Sequence, residues 1–249
     1  MDPAPDAYGE HIADVYDLVA PTYAYLDAEA EAARLAELAG DGPVLELGIG
    51  TGRVAVPLVR RGLAVYGIDA SRAMLERLGA KPEGAEIVTA QGDMADADIA
   101  PGVTFALAFA AFHTFFCLVA QEDQIRCFAN VAGRLAPGGR FVIDAFVPEL
   151  GSFVGGQRVR VAGLTEDALS LAATLHDPLE QRIRTQCVFV LADGRIRMAP
   201  WNIRYAWPSE LDLMARLAGL ELEHQWEDFK GTPLTARSTR RVGVYRKPG

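Results

Sequence analysis

From Val44 onward the chain alternates short apolar runs with helical stretches, the signature of a parallel sheet covered on both faces. The runs Val44 to Leu47, Ala64 to Ile68, Glu86 to Thr89, Val103 to Phe109 and Arg140 to Phe146 predict five strands. Helices are expected after Thr51, after Ser71 and from about Gln121 to Leu135, with Pro137, Gly138 and Gly139 turning the chain into the fifth strand. Ahead of this unit, apolar positions at Ile12, Val15, Tyr16 and Val19 and the Ala/Glu/Leu-rich stretch Ala28 to Ala39 predict two helices separated at Pro21.

Past about Gln157 the period becomes two. Ile183, Thr185, Cys187, Phe189 and Leu191 fall on one face of a strand, and Arg182, Arg184 and Gln186 on the other. Asp193 and Gly194 predict a hairpin turn, and the alternation continues through Trp201, Ile203, Tyr205 and Trp207. A helix from Pro208 to Ala218, ended by Gly219, and strands over Glu221 to Asp228 and Arg240 to Arg246 close the chain. The expected fold is α/β: a Rossmann-like, seven-stranded, mostly parallel sheet with helices on both faces, an N-terminal helical lid and an inserted antiparallel β-sheet. Residues 1–40 are expected to form the lid, 41–150 the core, 151–207 the antiparallel insertion, and 208–249 the closing helix and strands of the core.

Composition narrows the function. A chain of 249 residues, half of them hydrophobic, can bury one substantial core. A net charge of -9 disfavours a phosphate backbone as partner, so a small-molecule substrate is expected rather than nucleic acid. No apolar run reaches the length of a membrane span, and the acidic, Pro-containing start from Met1 to Glu10 lacks a signal-peptide pattern. The expectation is a cytoplasmic protein without a membrane partner, self-association as a homodimer being left open. Cys117, Cys127 and Cys187 lack paired spacing, so they are expected to be reduced thiols and no metal site is expected.

The candidate chemistry is concentrated in Val44-Leu-Glu46-Leu-Gly48-Ile-Gly50-Thr-Gly52-Arg53, a buried strand entering a glycine loop and then a helix. Glycine suits a sharp turn where ligand atoms approach backbone. The dinucleotide pattern wants glycine where Arg53 stands, and Glu46 would face a pyrophosphate unfavourably while suiting a ligand with an ammonium and a sulfonium. Asp69 ends the second strand 19 residues after Gly50, the spacing of a ribose-binding acid; a helix N-cap is its other reading. Gln91-Gly92-Asp93-Met94 follows the third strand, placing an acid and an apolar side chain suited to an adenine, although Asp93 reads equally well as a turn residue.

These residues resemble the class I S-adenosylmethionine-dependent methyltransferase family, small-molecule and natural-product type, from roughly Val44 to Phe146, including Leu135-Ala-Pro-Gly-Gly-Arg-Phe-Val at the fifth strand. The resemblance implies S-adenosyl-L-methionine as cofactor and methyl transfer to a nitrogen, oxygen or carbon of a small metabolite. It implies that Glu46, Gly48, Gly50, Gly52 and Arg53 hold the aminocarboxypropyl group, Asp69 and Ala70 the ribose, Asp93 and Met94 the adenine, and that Ala110 and the segment after it face the sulfonium. Tyr8, Tyr16 and Tyr23 are placed to close over the site, with Tyr16, Tyr23 and Phe116 as acceptor contacts; amphipathic packing accounts for Tyr16 almost as well. His113, amid aromatics after the fourth strand, is the candidate general base, or else a core histidine. Between Gln157 and Ala206 seven arginines face five acids. Arg182 and Arg204 are the expected acceptor contacts, against a solvated sheet face. Non-methylating chemistry on the same cofactor, a non-catalytic cofactor-binding subunit and a nicotinamide dehydrogenase are the competing readings.

Overall fold

The structure is a computed structural model describing residues 4–23, 26–96 and 98–249. At the N-terminus, α1 (Ala7–Ile12) and α2 (Tyr16–Val19) lead into a 3-10 turn (Ala20–Thr22), then α3 (Ala28–Ala39). Pro21 lies within that turn, not between two long helices, because its fixed φ and missing N–H are tolerated in a first turn. Asp27 caps α3 by accepting the Ala30 N–H at 3.1 Å.

The core follows as β1 (Val44–Leu47), α4 (Ala55–Arg60), β2 (Val65–Asp69), α5 (Arg72–Gly79), β3 (Val88–Gln91), β4 (Phe105–Ala110), α6 (Gln121–Arg134) and β5 (Leu135–Phe146). Glu86, expected to open the third strand, belongs instead to a 3-10 turn, Pro82–Glu86, started by its proline. The insertion consists of β6 (Gln157–Leu164), β7 (Ala168–Asp177), β8 (Arg182–Leu191) and β9 (Ile196–Arg204), after which α7 (Pro208–Leu217), β10 (Glu221–Trp226) and β11 (Arg240–Arg246) complete the chain.

The large sheet has the order β10-β11-β5-β4-β1-β2-β3, with β11 antiparallel to both its neighbours. Every residue of β1 is buried, as a strand flanked by β2 and β4 and covered on both faces requires. The order reverses between β4 and β1, and ligands of open α/β sheets bind at the carboxyl ends of strands at such a point. The four-stranded sheet, β6-β7-β8-β9, is antiparallel throughout. Its inner face packs Ala168, Cys187, Phe189, Leu191 and Ala199 against Ile12, Val15 and Val19 of the N-terminal segment and against Met74 of α5. The insertion and the first helices thus form one hydrophobic unit over the carboxyl edge of the large sheet.

Candidate functional site

At that edge Gly48, Gly50 and Gly52 all have positive φ, at 68°, 56° and 80°. Gly48 has no room for a side chain, since a Cβ would overlap Thr114 Cγ2, whereas Gly50 has nothing within 4 Å of a Cβ position. Gly50 therefore presents open backbone to a ligand. Gly52 serves packing: a Cβ there would meet Leu78 at 2.5 Å.

Asp69 holds the loop shut. Its carboxylate accepts the Gly50 N–H at 2.7 Å and the Ser71 N–H at 2.8 Å, tying the ends of β1 and β2 together. Burial raises its pKa against these two bonds, which favour the charged form. Ser71 is the cap of α5, accepting the Met74 N–H at 3.2 Å, so the N-cap expected as an alternative for Asp69 is supplied two residues later. Beneath the loop Glu46 is 4% exposed, and its Oε2 has no hydrogen-bond partner among the described residues. Burial holds its pKa well above the usual carboxylate range, with Arg53 opposing. Arg53 is committed to Glu31 of α3 by two parallel bonds of 2.9 and 2.8 Å. Burial works against its charge, but the Glu31 bonds and field outweigh it and raise its pKa.

Two carboxylates outside the glycine-loop motif fasten the first helices to this core. Glu10 accepts from Ser71 Oγ at 2.8 Å and from the Ala73 N–H at 3.0 Å; Asp17 accepts from Thr51 Oγ1 at 2.6 Å and pairs with Lys81 at 2.8 Å. No periodicity marks such residues, because their partners lie 34 to 64 positions away.

A cavity of about 530 Å³ opens here. Gly48, Gly50, Asp69, Ala70, Asp93 and Met94 form its core side, and Tyr8, Tyr16 and Tyr23 its lid side. The inner face of the antiparallel sheet supplies Thr174, Ile183, Thr185 and Trp201. Asp93 also accepts the Ala95 N–H at 2.8 Å, so its turn role and its place in the wall coexist.

Several expected site residues lie elsewhere. Phe116 is fully buried in the aromatic core, edge-on to Phe146 with ring centroids 5.2 Å apart, and Ala110 is packed at 1% exposure. Neither lines the cavity, nor do Glu46, Gly52 and Arg53, which support the loop. Arg182 and Arg204 are register partners on the face opposite Ile183 and Ile203, so they too are outside it. Arg182 donates from Nε to the Val119 carbonyl at 3.3 Å. Arg204 donates to Gln124 at 2.7 Å, Gln181 at 2.9 Å and Glu210 at 2.7 Å, joining β9 to α6 and α7. The arginines in the wall are Arg158, Arg160 and Arg240. Alternation in Gln157-Arg-Val-Arg-Val already put Arg158 and Arg160 on one face; which face was inner required the three-dimensional packing.

His113 follows β4 in a left-handed conformation, φ 64°, and lines the cavity. Its N–H donates to the Asp144 carbonyl at 3.0 Å and its ring meets Phe146 edge-on at 5.2 Å. Burial pushes its pKa down to about 4, the field of Asp144 opposing. A depressed histidine contributes stability above its unfolded pKa near 6.5 that is lost as pH falls through 4. Replacement by asparagine, which tolerates positive φ, is therefore expected to make stability less sensitive to pH between 6.5 and 4, the wild type losing up to about 3 kcal/mol more over that window. Urea unfolding at the two pH values measures the difference, and parallel loss in both proteins would contradict it.

A backbone cradle, a ribose-spaced acid and an adjoining cavity at the switch point together define a nucleoside-binding α/β protein. A family model described as "Methyltransferase domain" matches residues 44–139. The CcbJ methyltransferase of Streptomyces caelestis is 39% identical, with 99% of this chain and 100% of that one covered and a TM-score of 0.89. The cypemycin N-terminal methyltransferase of a Streptomyces species is 29% identical over 98% of both chains. The sugar N-methyltransferase KedS8 of Streptoalloteichus, 22% identical with a TM-score of 0.68, covers 100% of this chain and 99% of its own and shares the fold. The chain belongs to the class I S-adenosylmethionine-dependent methyltransferase family, and S-adenosylmethionine is its cofactor.

Proposed function

We propose that the protein transfers the methyl group of S-adenosylmethionine to an amine nitrogen of a small molecule held under the antiparallel sheet. The observation carrying this reading is the shift, away from neutrality, of the histidine, the two cysteines and Tyr16 in the wall. Burial pushes His113 down to about 4, Tyr16 up to about 12, and Cys117 and Cys187 up to about 11. A general base works best with a pKa near the operating pH, and none of these four has one. A hydroxyl acceptor would need such a base, whereas an amine can lose its proton to water before attack. The full-length relative named for an N-terminal methyltransferase supports the same choice.

In this reading Gly48 and Gly50 present backbone to the aminocarboxypropyl group, while Glu46 supports the loop from behind. Asp69 and Ala70 take the ribose, and Asp93 and Met94 the adenine. The cofactor supplies a methyl already attached to a sulfonium leaving group. The protein's part is to hold the amine in line and keep water out, and positioning of this kind can lower a barrier by roughly 7 to 11 kcal/mol. Tyr8, Tyr16 and Tyr23 close the lid side, and residues 151–207 act as the acceptor-binding element. His113 acts as a neutral imidazole that positions the acceptor.

Incubation with methyl-labelled cofactor and paired amino and hydroxy compounds, followed by mass spectrometry and NMR, tests the reading. Label is expected on nitrogen. The rate should rise with pH through the pKa of the acceptor amine without an inflection near 6.5, and His113→Asn should keep kcat within about tenfold of wild type. Label on oxygen, or an inflection near 6.5 that His113→Asn removes, would overturn the assignment.

A further inference from the structure

We propose that Arg158 and Arg160 form an oxyanion subsite in the cavity wall, so that the methyl acceptor carries a carboxylate or a phosphate besides its nucleophilic atom. The inference rests on the reading that this cavity holds the acceptor. In β6, the edge strand of its sheet, the order Arg158-Val159-Arg160-Val161 reverses the usual polarity of a half-buried sheet. The valines face outward at 76% and 59% exposure, while both arginines line the cavity.

Strand register extends each arginine into a row across the inner face. Arg158 pairs with Thr174, Thr174 with Thr185 and Thr185 with Trp201, and all four residues line the cavity. The next row runs Arg160, Ala172, Cys187, all three in the wall. A cationic end, a pair of buried threonine hydroxyls 3.3 Å apart and an indole make a graded surface suited to a ligand with one anionic terminus.

The guanidinium groups have donors to spare. Arg158 donates from Nη1 to Ser152 Oγ at 2.6 Å and lies over the Phe153 ring at 4.6 Å, which fixes its plane. Its Nε is buried with no partner among the described residues. Neither arginine forms an ion pair with a described residue. The acids in the wall are engaged elsewhere: Asp69 with the loop, Asp93 and Asp123 with Arg126. The exceptions are Asp6, just ahead of α1, and Glu149, an exposed residue on the rim whose field acts on Arg158; neither forms an ion pair with the two arginines. Inward charge on an edge strand also discourages edge-to-edge pairing, but that role does not call for a stacked guanidinium with unspent donors. A planar fork held against an aromatic ring matches two oxygens of a carboxylate or phosphate.

Titration of the S-adenosylhomocysteine-loaded protein with benzoate, phenyl phosphate and benzamide, read by tryptophan fluorescence, tests the subsite without turnover. At least one anion is expected to bind about tenfold or more tightly than benzamide, and the tighter of the two identifies the group. In the Arg158→Gln/Arg160→Gln double variant the advantage should fall to within about twofold with cofactor affinity unchanged. Arg160→Gln alone, at an exposed position, should lose at least about threefold and serves if the double variant does not fold. Equal binding of anions and amide in the wild type, or an anion preference that survives the substitutions, would overturn the subsite. Methyl transfer to oxygen with the anion preference intact would remove only the amine reading, and N-methylation without that preference would remove only the subsite.

Discussion

Arg204→Ala is expected to destabilise the protein by about 3 to 5 kcal/mol, the range for removing one partner of a buried ion pair. Arg204 is 6% exposed and spends its guanidinium on Gln124, Gln181 and Glu210, which come from three different parts of the fold. Gln124 is itself fully buried, and without the guanidinium its Oε1, the Gln181 Oε1 and the Glu210 carboxylate all lose a donor, so the loss of one side chain leaves several unmet groups. Burial alone would raise the pKa of Glu210, yet the bonds from Gln181, Arg204 and Gln121 hold it below its usual value. That depression contributes stability above the unfolded pKa near 4.3 that disappears as pH falls through the folded value. Removing Arg204 should therefore cost most near neutrality and least in acid. Denaturant midpoints at pH 7 and below pH 4 measure both effects. A variant of wild-type stability with a raised acceptor KM would return Arg204 to the acceptor site.

Asp69→Ala should weaken S-adenosylmethionine binding by about 10²- to 10³-fold, a larger loss than the ligand contact alone would give. The same carboxylate that stands at the proposed ribose position accepts the N–H groups of Gly50 and Ser71. Without it the open glycine loop loses the bond that sets its shape, and the ordering would have to be supplied at the moment of binding. Asp69→Asn keeps one acceptor oxygen and should fall between the two. Calorimetry on folded variants, with circular dichroism to confirm folding, provides the measurement; wild-type affinity in Asp69→Ala would remove the residue from the cofactor site.

The outcome for the two acids of the cofactor motif shows how far a sequence carries. Glu46 and Asp69 stand out in the sequence because a buried strand must end in a turn and glycines follow β1; of the two, only Asp69 lines the cavity. The five parallel strands, the hairpin at Asp193-Gly194 and the shared face of Ile183, Thr185, Cys187, Phe189 and Leu191 follow from local periodicity, and the structure has them. Period two says which residues share a face; it does not say whether that face meets solvent, a helix or a cavity. Arg182 and Arg158 are both strand arginines in the insertion, yet only Arg158 looks into the cavity. The choice depends on how the N-terminal segment and the large sheet pack against one side of the small one. The same limit applies to the contacts of Glu10 and Asp17, whose partners are distant in the chain, and to Phe116, whose aromatic neighbours complete a core that exists only once β4, α6 and β5 are packed. The sequence by itself determined the sheet, the glycine loop and the family they resemble, because those depend on short-range patterns. The depth of His113, the engagement of Arg53 with Glu31 and the arginines available to an acceptor were decided by tertiary structure, because burial and charge pairing depend on which distant segments come into contact.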